Sequence, residues 1–147
     1  MSKSYNPGMH SAEHLLNQAM VRRFGCGRCF SAHINPKKSK CDYRFDRDLT
    51  PEEVEAVQAD VNQAIENDYP VTIEQMPKED AEHTFNLERV PGKEEMTHLR
   101  VVRMGDYDAC PCIGEHVAST REIGRFRITG TGFENGVLRL RFKLQPA

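Results

Sequence analysis

The stretch Asp108-Ala-Cys-Pro-Cys-Ile-Gly-Glu-His116 places two thiols and an imidazole within nine residues, just after a predicted strand. Loops of this composition hold metals, and Cys110, Cys112 and His116 are three available donors. Zinc takes four protein donors in a closed structural site and three plus water in a catalytic one, so the loop needs help from elsewhere. The best source lies about a hundred residues upstream, in Met9-His-Ser-Ala-Glu-His14. Residues four apart on a helix project from one face, so His10 and His14 form a natural pair. If the two halves share an ion, the first helix must pack against the end of the sheet that carries the loop, which constrains the fold.

Working outward, Asn6-Pro7 reads as an N-cap followed by proline at the first helical position. Met9, Ala12, Leu15, Leu16, Ala19 and Met20 form an apolar stripe, with His10 and His14 at its edge, and Gly25 is the stop after Arg22 and Arg23. The runs 28–34 and 40–46 flank the turn-forming Asn35-Pro-Lys-Lys-Ser39 and predict a hairpin with a basic tip. Thr50-Pro-Glu-Glu53 is a capping box, and Val54, Val57, Val61 and Ile65 continue a helix until Pro70. A strand over 71–76, a short acidic helix over 77–83, a loop over 86–97 and a strand over 98–104 follow. Finally 122–131 and 137–144 alternate apolar residues with Arg or Lys around Glu134-Asn-Gly136, a tight-turn signal. This C-terminal hairpin would present Arg125, Arg127, Arg139, Arg141 and Lys143 on its outer face. The expected fold is α+β, with two main helices packed on an antiparallel sheet in one domain over 1–147.

Composition agrees with a single soluble core: 38% of the 147 residues are hydrophobic and 29% charged. No apolar run approaches the roughly 18 residues of a membrane helix, and Met1-Ser-Lys-Ser-Tyr-Asn-Pro-Gly8 lacks a signal-peptide core. The expectation is a cytoplasmic protein whose five cysteines are free thiols or metal ligands. The net charge of −2 conceals a segregation: residues 1–47 carry +6, 48–96 carry −11 and 97–147 carry +3. Basic ends meeting in space would form a face suited to a phosphate backbone, whereas an acidic middle is also simply a solvated surface.

Three imidazoles and one sulfur, from His10-x3-His14 and Cys112-x3-His116, suit zinc, since calcium and magnesium want oxygens. Rival readings are a four-thiolate site joining Cys26-Gly-Arg-Cys29 to Cys110 and Cys112, or a redox pair at Cys26 and Cys29. Glu13 precedes the second histidine, so the metalloprotease pattern His-Glu-x-x-His is absent and a solvated Glu13 is expected. Phe24-Gly-Cys-Gly27 lacks the Lys-Ser/Thr of a phosphate-binding loop.

With His-Ser-Ala-Glu-His-Leu-Leu16 opening the first helix, Tyr43-Arg-Phe-Asp46 before the second and Cys112-Ile-Gly-Glu-His-Val117 in the loop, the chain resembles the editing domain shared by threonyl- and alanyl-tRNA synthetases. It looks most like the small free-standing alanyl-tRNA deacylases that edit in trans. The resemblance implies zinc (Zn2+) held by His10, His14, Cys112 and His116. It also implies hydrolysis of the ester joining a wrong amino acid to tRNA, most readily serine or glycine on alanine tRNA. It leaves open two alternatives: a non-catalytic tRNA-binding module with structural zinc, and a zinc hydrolase of a small ester or amide.

Alanyl enzymes carry Cys-Gly-Gly-Thr-His and threonyl enzymes Cys-Arg-Gly-Pro-His where this chain has Ile113 and Glu115 around Gly114. The Gln-x-Gly-Ser of alanyl editing sites is replaced near Phe30-Ser-Ala-His33, which nominates Ser31, His33, Ile113 and Glu115 as pocket residues. Arg22, Arg23, Lys37, Lys38 and Lys40 are the nominated phosphate contacts for the tRNA acceptor end. The family's ATP-using catalytic domain has no counterpart in these residues, so aminoacylation is not expected.

Overall fold

The computed structural model describes residues 6–85, 87, 90 and 92–146. The chain runs α1 (Pro7–Phe24), β1 (Ser31–His33), β2 (Ser39–Arg44), α2 (Pro51–Glu66), β3 (Val71–Pro77), α3 (Lys78–Thr84), β4 (His98–Met104), β5 (Asp108–Pro111), β6 (Arg125–Glu134) and β7 (Val137–Gln145). Short 3-10 turns occupy Lys93–Glu95 and Thr120–Ile123. The fold is α+β, as the sequence predicts, but the strands form two antiparallel sheets rather than one. A four-stranded sheet has the order β1-β2-β7-β6 and a three-stranded sheet the order β3-β4-β5.

Helix α1 begins where Asn6 accepts a hydrogen bond from the Met9 amide at 2.9 Å and ends at Gly25, which takes a left-handed conformation at φ 69°. Helix α2 starts with both bonds of the capping box, Glu53 amide to Thr50 Oγ1 at 3.2 Å and Thr50 amide to Glu53 Oε1 at 2.9 Å. Met9, Leu15, Leu16 and Met20 of α1 and Val57, Val61 and Ile65 of α2 meet Cys41, Tyr43, Phe126, Leu138, Leu140 and Phe142 from one face of the larger sheet. Burying each large apolar side chain in this layer contributes roughly 1.5–3 kcal/mol. Side chains of α2 also satisfy the outer edge of β6: Asn62 exchanges two 2.9 Å bonds with the Phe126 backbone, and Gln58 accepts from the Ile128 amide at 2.9 Å. These bonds cover the start of an edge otherwise open to pairing with another chain.

Strand β5 is the element the sequence reading treats as loop. Gly105 sits at φ 56°, where an added Cβ would lie 2.6 Å from the Tyr69 ring, and this turn brings Asp108 opposite Met104. A four-residue strand containing Pro111 shows no alternation to read, so only the pairing with β4 reveals it. The C-terminal hairpin forms as expected, with positive φ at Asn135 and Gly136, but β6 starts at Arg125 because Thr120–Ile123 winds into a 3-10 turn. Of the expected loop 86–97, residues 86, 88, 89 and 91 lie outside the described residues, as does the first part of the 1–8 stretch. No described helix is long and apolar enough to cross a membrane.

Candidate metal centre

Helix α1 is buried almost all round from Met9 to Asn17, and its histidines are therefore held by packing on several sides. His14 is only 3% exposed, a departure from the stripe-edge position that the apolar spacing suggests, while His10 is half-buried. Past the end of β5, the chain carries Cys112 and His116 over the first turns of α1. One ligand atom from each of His10, His14, Cys112 and His116 falls within a sphere of mutual distances no larger than 4.8 Å. The three rings pack with centroids 4.5–5.3 Å apart, and Cys112 Sγ lies 3.5 Å from His10 Nε2. Tetrahedral zinc with N and S ligands spaces its donors by about 3.5 Å, so the contraction needed to close on one ion is small.

Two observations show that the donor set fits such an ion. Nδ1 of His116 is engaged by Ser11 Oγ at 2.9 Å, which leaves Nε2 as the inward atom, and this Nε2 is buried without a hydrogen-bond partner. Buried polar atoms are ordinarily satisfied, so an orphan facing three other donors is where a further group could bind. Second, the two thiols of the loop are driven apart in acidity. Burial pushes Cys110 up to about 12, whereas burial at Cys112 is outweighed by the adjoining imidazoles of His10, His116 and His14, which hold its thiol down to about 3. Cys112 is thus a thiolate, the form that binds metal, and Cys110 a protonated neighbour.

The imidazoles divide as well. Burial would lower His14, but Asp108 and the Cys112 sulfur raise it to about 9; burial and the nearby His14 and His10 draw His116 down to about 4. The negative charge that keeps a proton on His14 equally attracts a divalent cation. His14 Nδ1 faces Asp108 Oδ2 at 3.5 Å, a charge contact that does not close into a hydrogen bond. Asp108 is itself fixed by Gln18 Nε2 at 2.8 Å and Arg28 Nη1 at 2.7 Å. Burial of this carboxyl would raise its pKa, but His14 and Arg28 hold it well below the ordinary carboxylate range.

Arg100 on β4 shapes the loop: its Nη1 donates to the carbonyls of Cys112 at 2.7 Å and Gly114 at 2.6 Å, while its own carbonyl accepts from the Cys112 amide at 3.0 Å. Ser11 adds a second clamp by accepting from the Val117 amide at 3.2 Å. Sequence reasoning missed Ser11, Arg28, Arg100 and Asp108. Arg100 stands between the buried Leu99 and Val101 of β4, but nothing local reveals a bond made to carbonyls twelve and fourteen residues away.

Glu13 is a correction. It is 5% exposed rather than solvated, with Oε1 at 3.5 Å from His10 Nε2 and Oε2 accepting from Cys29 Sγ at 3.3 Å and Asn17 Nδ2 at 3.4 Å. Glu13, Cys29 and Cys41 form a second close group, all buried. Cys29 therefore sits with Cys41 and Glu13 rather than with Cys110 and Cys112, so the described residues assemble no four-thiolate site. Cys26 points its sulfur at the Met20 carbonyl.

The other nominated residues are dispersed. Ile113, 62% exposed, and Glu115 lie on the loop between Cys112 and His116. Ser31 and His33 pair with Asp42 and Lys40 and so share their face of the sheet, opposite Cys41 and Tyr43. Lys37 and Lys38 are exposed between β1 and β2. Lys40 lies on β2, Arg22 stacks over Tyr107 at 4.4 Å and Arg23 pairs with Asp60 at 2.8 Å.

Comparison with known proteins adds a lineage to this geometry. Residues 99–141, from β4 through the metal loop into β7, match the family described as the threonyl and alanyl tRNA synthetase second additional domain. The chain is 36% identical over 134 residues to an alanine–tRNA ligase of Coxiella burnetii, and 32% identical over 133 residues to one of Francisella tularensis subsp. mediasiatica. Each match covers 89% of this chain and 15% of the relative, so the chain spans a small part of the length of these ligases.

Proposed function

From the membership of residues 99–141 in the threonyl and alanyl tRNA synthetase second additional domain, we propose that this protein hydrolyses the ester of mischarged aminoacyl-tRNA. The substrate we favour is serine or glycine on alanine tRNA, and the required cofactor zinc held by His10, His14, Cys112 and His116. The observation that carries the proposal is the convergence of these four donors around the orphaned Nε2 of His116. A pocket for alanine cannot reject glycine or serine by more than the small factors that a methylene or hydroxyl is worth, so such errors need a second site that removes them.

A bound zinc would supply Lewis-acid polarisation of the ester carbonyl or a more acidic water. The chain's own residues prepare the place. Cys112 brings a formal negative charge, His14 is anchored from behind by Asp108, and His116 is oriented by Ser11 so that one defined nitrogen faces inward. Arg100 holds the loop carbonyls, so Ile113 and Glu115 are presented at the rim, where they would contact the amino acid. Burial of His14 against the exposure of Ile113 gives the centre a closed inner side and an open outer one.

One observation favours the binding-module alternative: four protein donors complete a closed zinc shell with no vacant position. Deacylation assays separate the readings. Zinc-loaded wild type should hydrolyse seryl- or glycyl-tRNA(Ala) faster than alanyl-tRNA(Ala), and Cys112→Ala should abolish turnover. Absence of zinc-dependent turnover on all three, with tRNA binding retained, would replace the hydrolase by the binding module. Turnover of small aminoacyl esters as efficient as that of tRNA substrates would make the protein a small-ester hydrolase.

A further inference from the structure

The larger sheet covers the core with one face and, among the described residues, carries no helix on the other. Alternation places Arg125 and Arg127 of β6, Arg139, Arg141 and Lys143 of β7, and Lys40 and Arg44 of β2 on this outer face. Its acids are Asp42, gripped by Arg139 through bonds of 2.7 and 2.9 Å, and Glu134 at the far hairpin corner. The register sets Arg127 directly opposite Lys143 and Lys40 directly opposite Arg141. Like charges directly opposite on a sheet destabilise it, and no described carboxylate forms an ion pair with any of these four. Stability alone would not select this arrangement.

Two further features describe what the face would meet. Gly130 and Gly132 lie opposite Arg141 and Arg139, and a Cβ at either would touch nothing within 4 Å, so neither glycine is required by crowding. Glycine weakens a strand interior, and here it opens a bare strip between cations where another backbone can approach. The face also runs into the metal centre. Gln145, the partner of Arg125, lines a groove of about 750 Å³ together with Gly8, Arg121, Leu144 and His116. A chain lying over the cations would thus have a continuous path from Arg125 and Lys143 to the loop that carries the ligands.

We propose that the outer face of the four-stranded sheet is the landing surface for an RNA phosphate backbone, with Arg127, Lys143, Arg141 and Lys40 as its principal contacts. This rests on the reading of the substrate as an ester on RNA, and it extends that reading from the ester to the helix behind it. The surface is distinct from the nominated hairpin tip at Lys37 and Lys38. A phosphate backbone fits better than an anionic membrane, because membrane-surface elements pair their cations with a buried apolar side. Here the apolar side of the sheet is already occupied by α1 and α2.

The test uses a fluorescent, unacylated RNA hairpin with a single-stranded 3′ end, titrated by anisotropy across a salt series. Arg127→Glu with Lys143→Glu should weaken binding about 10-fold or more, and should flatten the plot of log affinity against log salt by about two contacts' worth. Thermal unfolding should change little, since one like-charged cross-strand pair replaces another; if that variant fails to fold, Arg127→Gln with Lys143→Gln, which removes the repulsion, should still weaken binding in the same direction. Unchanged RNA affinity in a folded variant would overturn the proposal. So would face-dependent binding to vesicles containing about 30% anionic lipid in the absence of RNA binding. Face-dependent RNA binding by a protein without esterase activity would leave this surface standing and remove the hydrolase reading. Esterase activity on aminoacyl-tRNA with RNA affinity indifferent to the face would do the reverse.

Discussion

Helix α1 contributes to two groups of potential ligands, and they differ in a way that spacing alone does not show. His10, His14, Cys112 and His116 form one, and Glu13, Cys29 and Cys41 the other, each with donor atoms inside 4.8 Å. The second is sealed in the core and knit by hydrogen bonds: Glu13 accepts from Cys29 and Asn17, and Asn17 Oδ1 in turn accepts from the Tyr43 hydroxyl at 2.8 Å and the Cys29 amide at 3.0 Å. The first leaves the inward-facing His116 Nε2 buried without such a bond. Donors that satisfy one another make a structural network, whereas donors left with an orphan make a site.

Five variants probe that contrast, beginning with the largest effect. Cys112→Ala should strip bound zinc and all metal-dependent activity, while Cys41→Ala should keep both and lose about 1–3 kcal/mol of stability by cavity formation; metal analysis beside denaturant unfolding reads the two apart. Equal zinc loss in both would merge the groups. Asp108→Asn should cost about 3 kcal/mol, because Arg28 and His14 then lose a fully buried counter-charge. The depressed Asp108 pKa also sets a sign. In metal-free protein its contribution is complete above the ordinary carboxylate value of about 3.9 and is lost only as pH falls toward its lower folded value. The asparagine variant should therefore lose less stability than wild type on acidification below about pH 4, as followed by urea midpoints.

Ser11→Ala should reduce zinc affinity about 10- to 100-fold with little change in fold, since it frees the His116 ring without removing a ligand. Competition with a chromophoric chelator measures this, and an unchanged affinity would mean that packing alone orients His116. The smallest effect is expected from Tyr43→Phe, about 1 kcal/mol of stability with zinc affinity intact. A drop in zinc affinity there would show that the core network reaches the metal through Glu13 and His10.

The difference between the groups also explains what could be read in the sequence. His10 and His14 are visible through helical spacing, and Cys112 and His116 through their own short motif. The four converge in space because one helix and one loop carry them in pairs. The capping box at Thr50 and the Asn135-Gly136 turn are equally local and appear where expected. Burial of Glu13 was invisible, because it depends on Cys29, Asn17 and Tyr43 arriving from separate elements. Arg100 and Ser11 act on backbone atoms and on a single ring nitrogen, contacts that leave no pattern in residue type. The division into two sheets turned on β5, whose pairing with β4 depends on the left-handed Gly105 rather than on alternation.

The central claim, one zinc in the histidine-rich group, is tested most directly by zinc X-ray absorption on the metal-loaded protein. One zinc per chain is expected, with one sulfur at about 2.3 Å and three nitrogens at about 2.0–2.1 Å. A shell of two sulfurs with oxygen would place the metal at Glu13, Cys29 and Cys41 and contradict it.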